Sequence, residues 1–226
     1  MKVKAILFDL DGTILDTAQD LCETCNVILK RHGFLELPYE SIKDKIALGV
    51  KAMLSLRIDD TKALEVSRDT KLKQEFIDYY HNHICDKTCV YDGFTEVLKK
   101  LKENGYKTAV VTGKYTNLAK LLLDKLKISQ YFDYVIGSDL CEHPKPHPCS
   151  LKKALDKLNV DSKDSIYLGD HINDIKAALA CNAYACAVRW GYGEGDCGKI
   201  ETWKANAILD KPQDLIPLIR KLELKT

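Results

Sequence analysis

The sequence has almost no surplus of charge. Its 34 basic side chains face 33 acidic ones, for a formal net charge of +1. Such a chain carries neither the basic footprint of a nucleic-acid binder nor a polybasic membrane tail. Long hydrophobic runs are missing too. No apolar stretch approaches the roughly 18 residues that span a bilayer, and the first one is cut by Asp9, so it does not read as a signal peptide. There is no Gly/Ser linker, low-complexity tract or internal repeat. The nine cysteines are odd in number and lack the spacing of a disulfide scaffold, so the expectation is reduced thiols in a cytoplasm. What remains, at 226 residues, 46% hydrophobic and 30% charged, is a globular chain long enough for one sizeable domain or a domain with an insertion.

Short apolar runs punctuate the chain at Val3 to Phe8, Tyr106 to Val111, Tyr134 to Ile136, Ser165 to Leu168, Tyr184 to Val188 and Ala207 to Leu209. Most are continuous rather than alternating, as strands covered on both faces are. Between them, Phe94 to Leu101 and Leu118 to Leu126 repeat apolar residues at helical spacing, and Asn104-Gly105 stops the first of these. Alternating strands and helices predict an α/β fold, a doubly wound parallel sheet. Residues 16–87 break the alternation. Helices are expected at Thr17 to His32, Glu40 to Ala47, Leu48 to Arg68 and Leu72 to Ile84, which makes this segment an all-α insertion into a core formed by residues 1–15 and 88–226.

One CxxC, Cys22 with Cys25, invites a redox or metal reading. Leu21, Cys25, Ile28 and Leu29 form one apolar stripe, and no second CxxC or nearby His supplies further zinc ligands, so both cysteines are read as helix-packing residues. His143, His147 and His171 could also suggest zinc, but the neighbouring carboxylates favour a hard ion. His81 and His83 read as a solvated helix face.

Four polar groups follow strand signals. Asp9 and Asp11 follow the first, Thr112, Gly113 and Lys114 follow the second, Lys145 follows the third, and Gly169-Asp170 with Asp174 follow the fourth. Each alone would be a turn, a cap or a surface charge. Together they matter because ligands of open parallel sheets bind outside the carboxyl ends of the strands. Residues two apart share a strand face, so Asp9 and Asp11 can address one group, and Gly12 permits an abrupt turn after them.

In these motifs, Asp9-Leu10-Asp11-Gly12-Thr13, Thr112, Lys145, and Gly169-Asp170 with Asp174, the sequence resembles the haloacid dehalogenase-like phosphohydrolases over essentially its whole length. Tyr91-Asp92-Gly93, VVTGKY, KPHP, GDHINDI and Trp190-Gly191-Tyr192-Gly193 resemble the phosphoglycolate phosphatase branch. The resemblance implies a Rossmann-like core with an inserted helical cap, and Mg²⁺ held by Asp9, the backbone carbonyl of Asp11 and Asp170. Asp174 would orient bound water or Lys145 from just outside that ligand set. It further implies Asp9 as nucleophile, Asp11 as general acid and base, and Thr112 and Lys145 as stabilisers of the transferring phosphoryl group, with Gly12, Thr13, Gly113 and Lys114 around the substrate. In the cap, Gly49, Lys51 and Arg57 are candidate contacts, and the two cations could pair with a substrate carboxylate. The expected reaction is hydrolysis of a small phosphorylated metabolite, 2-phosphoglycolate first. A sugar phosphomutase shares all four motifs and stays open, as do a nucleotidase or pyrophosphatase. A regulator that binds a phospho-ligand would normally lack one of the catalytic groups, and none is missing here.

Overall fold

The computed structural model describes residues 1–58 and 70–224. Six parallel strands form one sheet: β1 (Ala5–Phe8), β4 (Lys107–Val111), β5 (Tyr134–Ile136), β6 (Ser165–Gly169), β7 (Tyr184–Val188) and β8 (Ala207–Leu209), in the order β5-β4-β1-β6-β7-β8. They fall at the six apolar runs, with ends shifted by no more than two residues. The doubly wound parallel sheet is therefore the fold of the chain, and its strand order reverses at β1, the switch point where such sheets bind ligands.

Side-chain alternation divides the interior into two cores. Ile6, Phe8, Val110, Ile166, Leu168 and Val188 face one way, against the helices Phe94–Glu103, Thr116–Lys125 and Leu215–Glu223. Ala5, Leu7, Ala109, Val111, Tyr167 and Ala187 face the other, against Cys149–Leu158 and Ile172–Ala180. Both faces are thus covered, which is why the strands read as unbroken apolar runs. Phe8 anchors the first core, with its ring edge-on to Phe94 at 5.6 Å and Phe132 at 6.2 Å.

Register aligns the strand ends. Phe8 lies opposite Val110 on one side and Leu168 on the other. Asp9, Thr112 and Asp170 consequently emerge together at the carboxyl edge, and the Asp9 amide still donates to the Leu168 carbonyl at 2.8 Å.

The helical segment is joined to the sheet by a feature the sequence does not announce. β2 (Leu15–Asp16) pairs antiparallel with β3 (Cys89–Val90), pinching the two ends of the segment together. Strands of two residues carry no readable period. Between them the described elements are the helices Ala18–Arg31, Tyr39–Lys43, Val50–Ser55 and Thr70–His83 and a 3₁₀ turn, Ile46–Leu48. Glu40 to Ala47 is therefore not one helix. The chain turns at Asp44-Lys45, where Lys45 pairs with Asp196 of the core and the Asp44 carboxylate fills the space that a side chain at Gly195 would take. Gly49, at φ +85°, then separates the 3₁₀ turn from the next helix. Of the helix expected over Leu48 to Arg68, residues 59–69 lie outside the described residues. Cys22 and Cys25 are 3% and 0% exposed in the helical core, as read.

Asp20 ties this junction. Its carboxylate, 3% exposed, accepts from the Lys87 amide at 2.9 Å, the Thr88 amide at 3.0 Å and the Thr88 hydroxyl at 2.6 Å. Truncation strands buried donors, so Asp20→Ala is expected to destabilise by about 3 kcal/mol, lowering the thermal midpoint by roughly 6–12 °C. An unchanged melt would remove Asp20 from this role.

Candidate active site

The centre is an ion-pair network on the edge of β1. Lys145 Nζ lies 2.7 Å from Asp9 Oδ1 and 2.6 Å from Asp174 Oδ1. It also donates to the Tyr167 hydroxyl at 3.0 Å, and that hydroxyl is 2.9 Å from the Val111 carbonyl and 3.1 Å from Asp174 Oδ1. The lysine comes from the loop after β5, Asp9 from β1, and Asp174 from the first turn of the helix Ile172–Ala180, where its Oδ2 accepts from the His171 amide at 3.1 Å. Asp174 and Asp9 keep the buried lysine protonated, well above its ordinary range.

Asp170 completes the acidic group. Thr13 Oγ1 donates to its Oδ1 at 3.1 Å, and the Tyr192 amide to its Oδ2 at 2.9 Å. Asp9, Asp170 and Asp174 bring ligand oxygens to within 4.8 Å of one another, all buried. Three carboxylates share one ammonium group, and the excess charge is visible in the proton affinities of Asp170 and Asp9. Burial first, and then the charge of Asp174, push Asp170 up to about 7. Asp9 is likewise raised well above the usual carboxylate range by burial and by Asp174 and Asp170, against the pull of Lys145. A cluster of this kind suits a metal ion, and its all-oxygen donor set suits a hard divalent one.

Two glycines let the backbone close around Asp170. Gly12, at φ +83°, would place a Cβ 2.2 Å from Asp170 Oδ2. At Gly191 a Cβ would lie 2.2 Å from the Asp170 Cβ and 2.6 Å from the Gly12 carbonyl. Gly191→Ala must therefore displace Asp170, and misplacement on the ångström scale costs about 10²-fold in rate. The expected signature is that loss in kcat, with a raised metal requirement and a folded far-UV spectrum. Wild-type kcat in Gly191→Ala would show that the position of Asp170 is not critical.

Asp11 occupies the other wall. Its Oδ1 accepts from the Thr17 hydroxyl at 2.6 Å and pairs with Lys114 Nζ at 3.2 Å. Neither contact engages Oδ2. The buried Lys114 ammonium in turn meets Tyr80 of the helical segment, 3.3 Å from its hydroxyl and 4.5 Å from its ring centroid. Thr112, 3% exposed, accepts the Lys114 amide at 3.1 Å on its own hydroxyl oxygen, and keeps its proton to donate. Asp9, Asp11, Thr112, Gly113, Lys114, Lys145 and Asp174 all line one cavity of about 520 Å³, roofed by Leu48, Gly49, Lys51, Met53, Phe76 and Tyr80.

A family model for haloacid dehalogenase-like hydrolases matches residues 6–188, most of the chain. The chain belongs to that family. Phosphoglycolate phosphatase of Caulobacter vibrioides is 34% identical over 219 residues, 95% of this chain and 91% of that one. N-acetylmuramic acid 6-phosphate phosphatase of Pseudomonas aeruginosa is 29% identical over 97% of this chain and 96% of its own length. Among solved structures, a predicted phosphoglycolate phosphatase from Haemophilus somnus superposes with a TM-score of 0.86 at 27% identity, covering 96% of this chain and 98% of that one.

Within this hydrolase the residues expected from sequence separate into three groups. Asp9, Asp11, Thr112, Gly113, Lys114, Lys145 and Asp174 meet in the cavity, and Lys51 stands in its roof. Gly12 and Thr13, expected around the substrate, instead stand behind Asp170; Thr13 is fully buried and spends its hydroxyl on that carboxylate. Arg57 does not reach the cavity either: it is exposed, and its guanidinium donates to the Glu36 carbonyl at 3.1 Å. Sequence pattern does not mark Tyr80, Tyr167 and Tyr192, which hold charged neighbours distant in sequence, or Gly191, which leaves room for Asp170.

His171 stands apart from His143 and His147 and instead groups with Asp196 and Cys197, ligand atoms within 4.8 Å of one another, a set that could hold a metal ion. His171 also caps its helix, with Nδ1 accepting the Asn173 amide at 3.1 Å. The ring proton is therefore on Nε2, which faces Cys197 Sγ at 2.9 Å as a donor. Burial lowers its proton affinity, which keeps the ring neutral. His143 and His147 meet on the exposed loop with their rings tilted at 56°, 4.8 Å between centroids.

Proposed function

We propose that the chain is a Mg²⁺-dependent phosphatase that hydrolyses a small phosphate monoester, 2-phosphoglycolate first, through an aspartyl-phosphate on Asp9. The observation that carries this reading is the meeting of Asp9, Asp11, Thr112 and Lys145 around one cavity. Asp9, the Asp11 backbone carbonyl and Asp170 would hold Mg²⁺, which supplies the positive charge that lets a dianionic phosphate approach two carboxylates. Lys145 aims Asp9 through its 2.7 Å contact and offers its ammonium to the phosphoryl oxygens. Thr112 donates its free proton to the same group. Such preoriented charge is usually the largest single term in catalysis. Asp11 protonates the leaving alkoxide, then takes a proton from the water that hydrolyses the intermediate. Residues 16–87 act as a cap over the cavity, with the Lys114–Tyr80 contact joining cap to core. The free cysteines support a cytoplasmic location.

Phosphate release from p-nitrophenyl phosphate and 2-phosphoglycolate tests this reading. EDTA is expected to lower the rate by at least about 10²-fold, since a bound metal supplies several kcal/mol of charge stabilisation. Excess Mg²⁺ should restore it. Ca²⁺, with more ligands at longer distances, should compete and inhibit. A rate indifferent to EDTA would end the metal-dependent reading.

A second reading concerns the leaving group. The cavity, about 520 Å³ with Leu48, Val50, Met53 and Phe76 in its wall, falls in the range of roughly 300–1,000 Å³ typical of sites for larger ligands. A two-carbon acid leaves much of that wall uncovered, whereas a sugar-acid phosphate, as named for the Pseudomonas aeruginosa relative, would cover more. Comparing kcat/KM for 2-phosphoglycolate, N-acetylmuramic acid 6-phosphate and β-glucose 1-phosphate separates the readings. Conversion of the last to glucose 6-phosphate would instead identify a mutase.

A further inference from the structure

The loop that carries Lys145 begins and ends in cysteine. Cys141 and Cys149 stand eight positions apart in sequence, and their Sγ atoms are 2.8 Å apart. A disulfide bond measures about 2.05 Å, so an approach of about 0.8 Å would make one. Both residues are partly exposed, unlike the fully packed Cys22 and Cys25. Both ends of the loop are also fixed to the same helix. Cys149 is its first residue, and Lys153 of that helix donates to the carbonyl of Leu140, next to Cys141, at 2.7 Å.

We propose that Cys141 and Cys149 form a reversible disulfide that clamps the Lys145 loop in its working position. The oxidant is a low-molecular-weight disulfide of the glutathione type. Cys149, the first residue of its helix, attacks it as the thiolate, the nucleophilic form of any thiol. One sulfur–sulfur bond breaks, a mixed disulfide forms on Cys149, and one small thiolate leaves. Burial and the neighbouring sulfur push the Cys141 thiol up to about 11, which fits it to the later, resolving role. Cys141 then attacks the Cys149 sulfur as its proton leaves, and the second small thiol departs. Two protein thiols are oxidised and one small disulfide is reduced to two thiols, so the electrons balance. Because the sulfurs have only about 0.8 Å left to close, the bond forms without moving Lys145 away from Asp9 and Asp174.

The test uses the full chain treated with oxidised glutathione, then alkylated, digested and weighed. This readout does not depend on the proposed reaction. Two thiols should escape alkylation, both within residues 141–149, and dithiothreitol should return them. Cys141→Ser, lacking the resolving sulfur, should keep glutathione on Cys149. The clamped enzyme should hydrolyse p-nitrophenyl phosphate within about twofold of the reduced enzyme, and its thermal midpoint should rise by about 5 °C, as closing a short loop predicts. Full alkylation of all cysteines after treatment, or a bond mapped to another pair, would overturn the proposal. So would an oxidised enzyme more than tenfold slower, since the bond would then have displaced Lys145.

Discussion

Asp9→Asn is expected to lose turnover by at least about 10⁴-fold, the scale seen when a nucleophile is removed, while its fold stays intact. The carboxamide keeps the shape of the side chain and its contact with the Leu168 carbonyl through the backbone, but cannot attack phosphorus. Stability should move the other way. In metal-free buffer Asp9 is a buried acid beside Asp170 and Asp174, raised well above its ordinary proton affinity, so its charged form weakens the fold. The sign follows from that shift. A raised acid binds its proton more tightly when folded, so its contribution is favourable at low pH and is lost as pH climbs through the folded value. At pH 7 and above, with EDTA present, Asp9→Asn should melt at or above the wild-type midpoint; Lys145 keeps Asp174 as its partner at 2.6 Å. A variant that turns over normally would remove Asp9 as nucleophile. One that melts well below wild type would show that the Lys145 pair stabilises more than burial costs.

Asp11→Asn is expected to slow the enzyme by roughly 10²–10⁴-fold, the usual span for acid–base catalysis, but at a step that depends on the substrate. An alkoxide leaves poorly without a proton, so with alkyl phosphates the first step should stall and Asp9 should remain free. Nitrophenolate leaves largely unaided. With p-nitrophenyl phosphate the first step should proceed and the second stall, since the proposed role makes Asp11 also the base that activates water. A nitrophenol burst approaching one equivalent per enzyme should then precede a slow steady rate. Asp11 stands ready for both tasks, with Oδ1 held by Thr17 and Lys114. Rapid-quench kinetics would expose the burst, and its absence in a variant that still binds Mg²⁺ would deny Asp11 the role of base.

The parts legible in the sequence are those governed by local pattern. Buried parallel strands show as apolar runs, and Asp9, Thr112 and Asp170 sit just beyond three of them, so the sheet's register alone brings them into one row. Other features depend on contacts made at long range. Thr13 looks like a substrate ligand because it follows the Asp9-Asp11 motif, yet its hydroxyl is taken by Asp170, 157 positions away. Tyr192 holds Asp170 through its amide and meets Asp16 and Thr17 through its hydroxyl, none of which spacing reveals. The break at Asp44-Lys45 likewise follows from a partner, Asp196, on a core loop. Arg57 stands outside the cavity for a related reason: its charge suggests a substrate carboxylate, while its partner, the Glu36 carbonyl, lies within the same helical segment.

The central claim is that phosphate passes through Asp9. The most direct measurement is peptide mass analysis of Asp11→Asn enzyme quenched in acid within the burst on p-nitrophenyl phosphate, in the presence of Mg²⁺. The account predicts one added phosphoryl group, located on the peptide that contains Asp9 and labile to hydroxylamine as acyl phosphates are. A full nitrophenol burst with no phosphoryl group on the protein, or with the group on any residue other than Asp9, would contradict it.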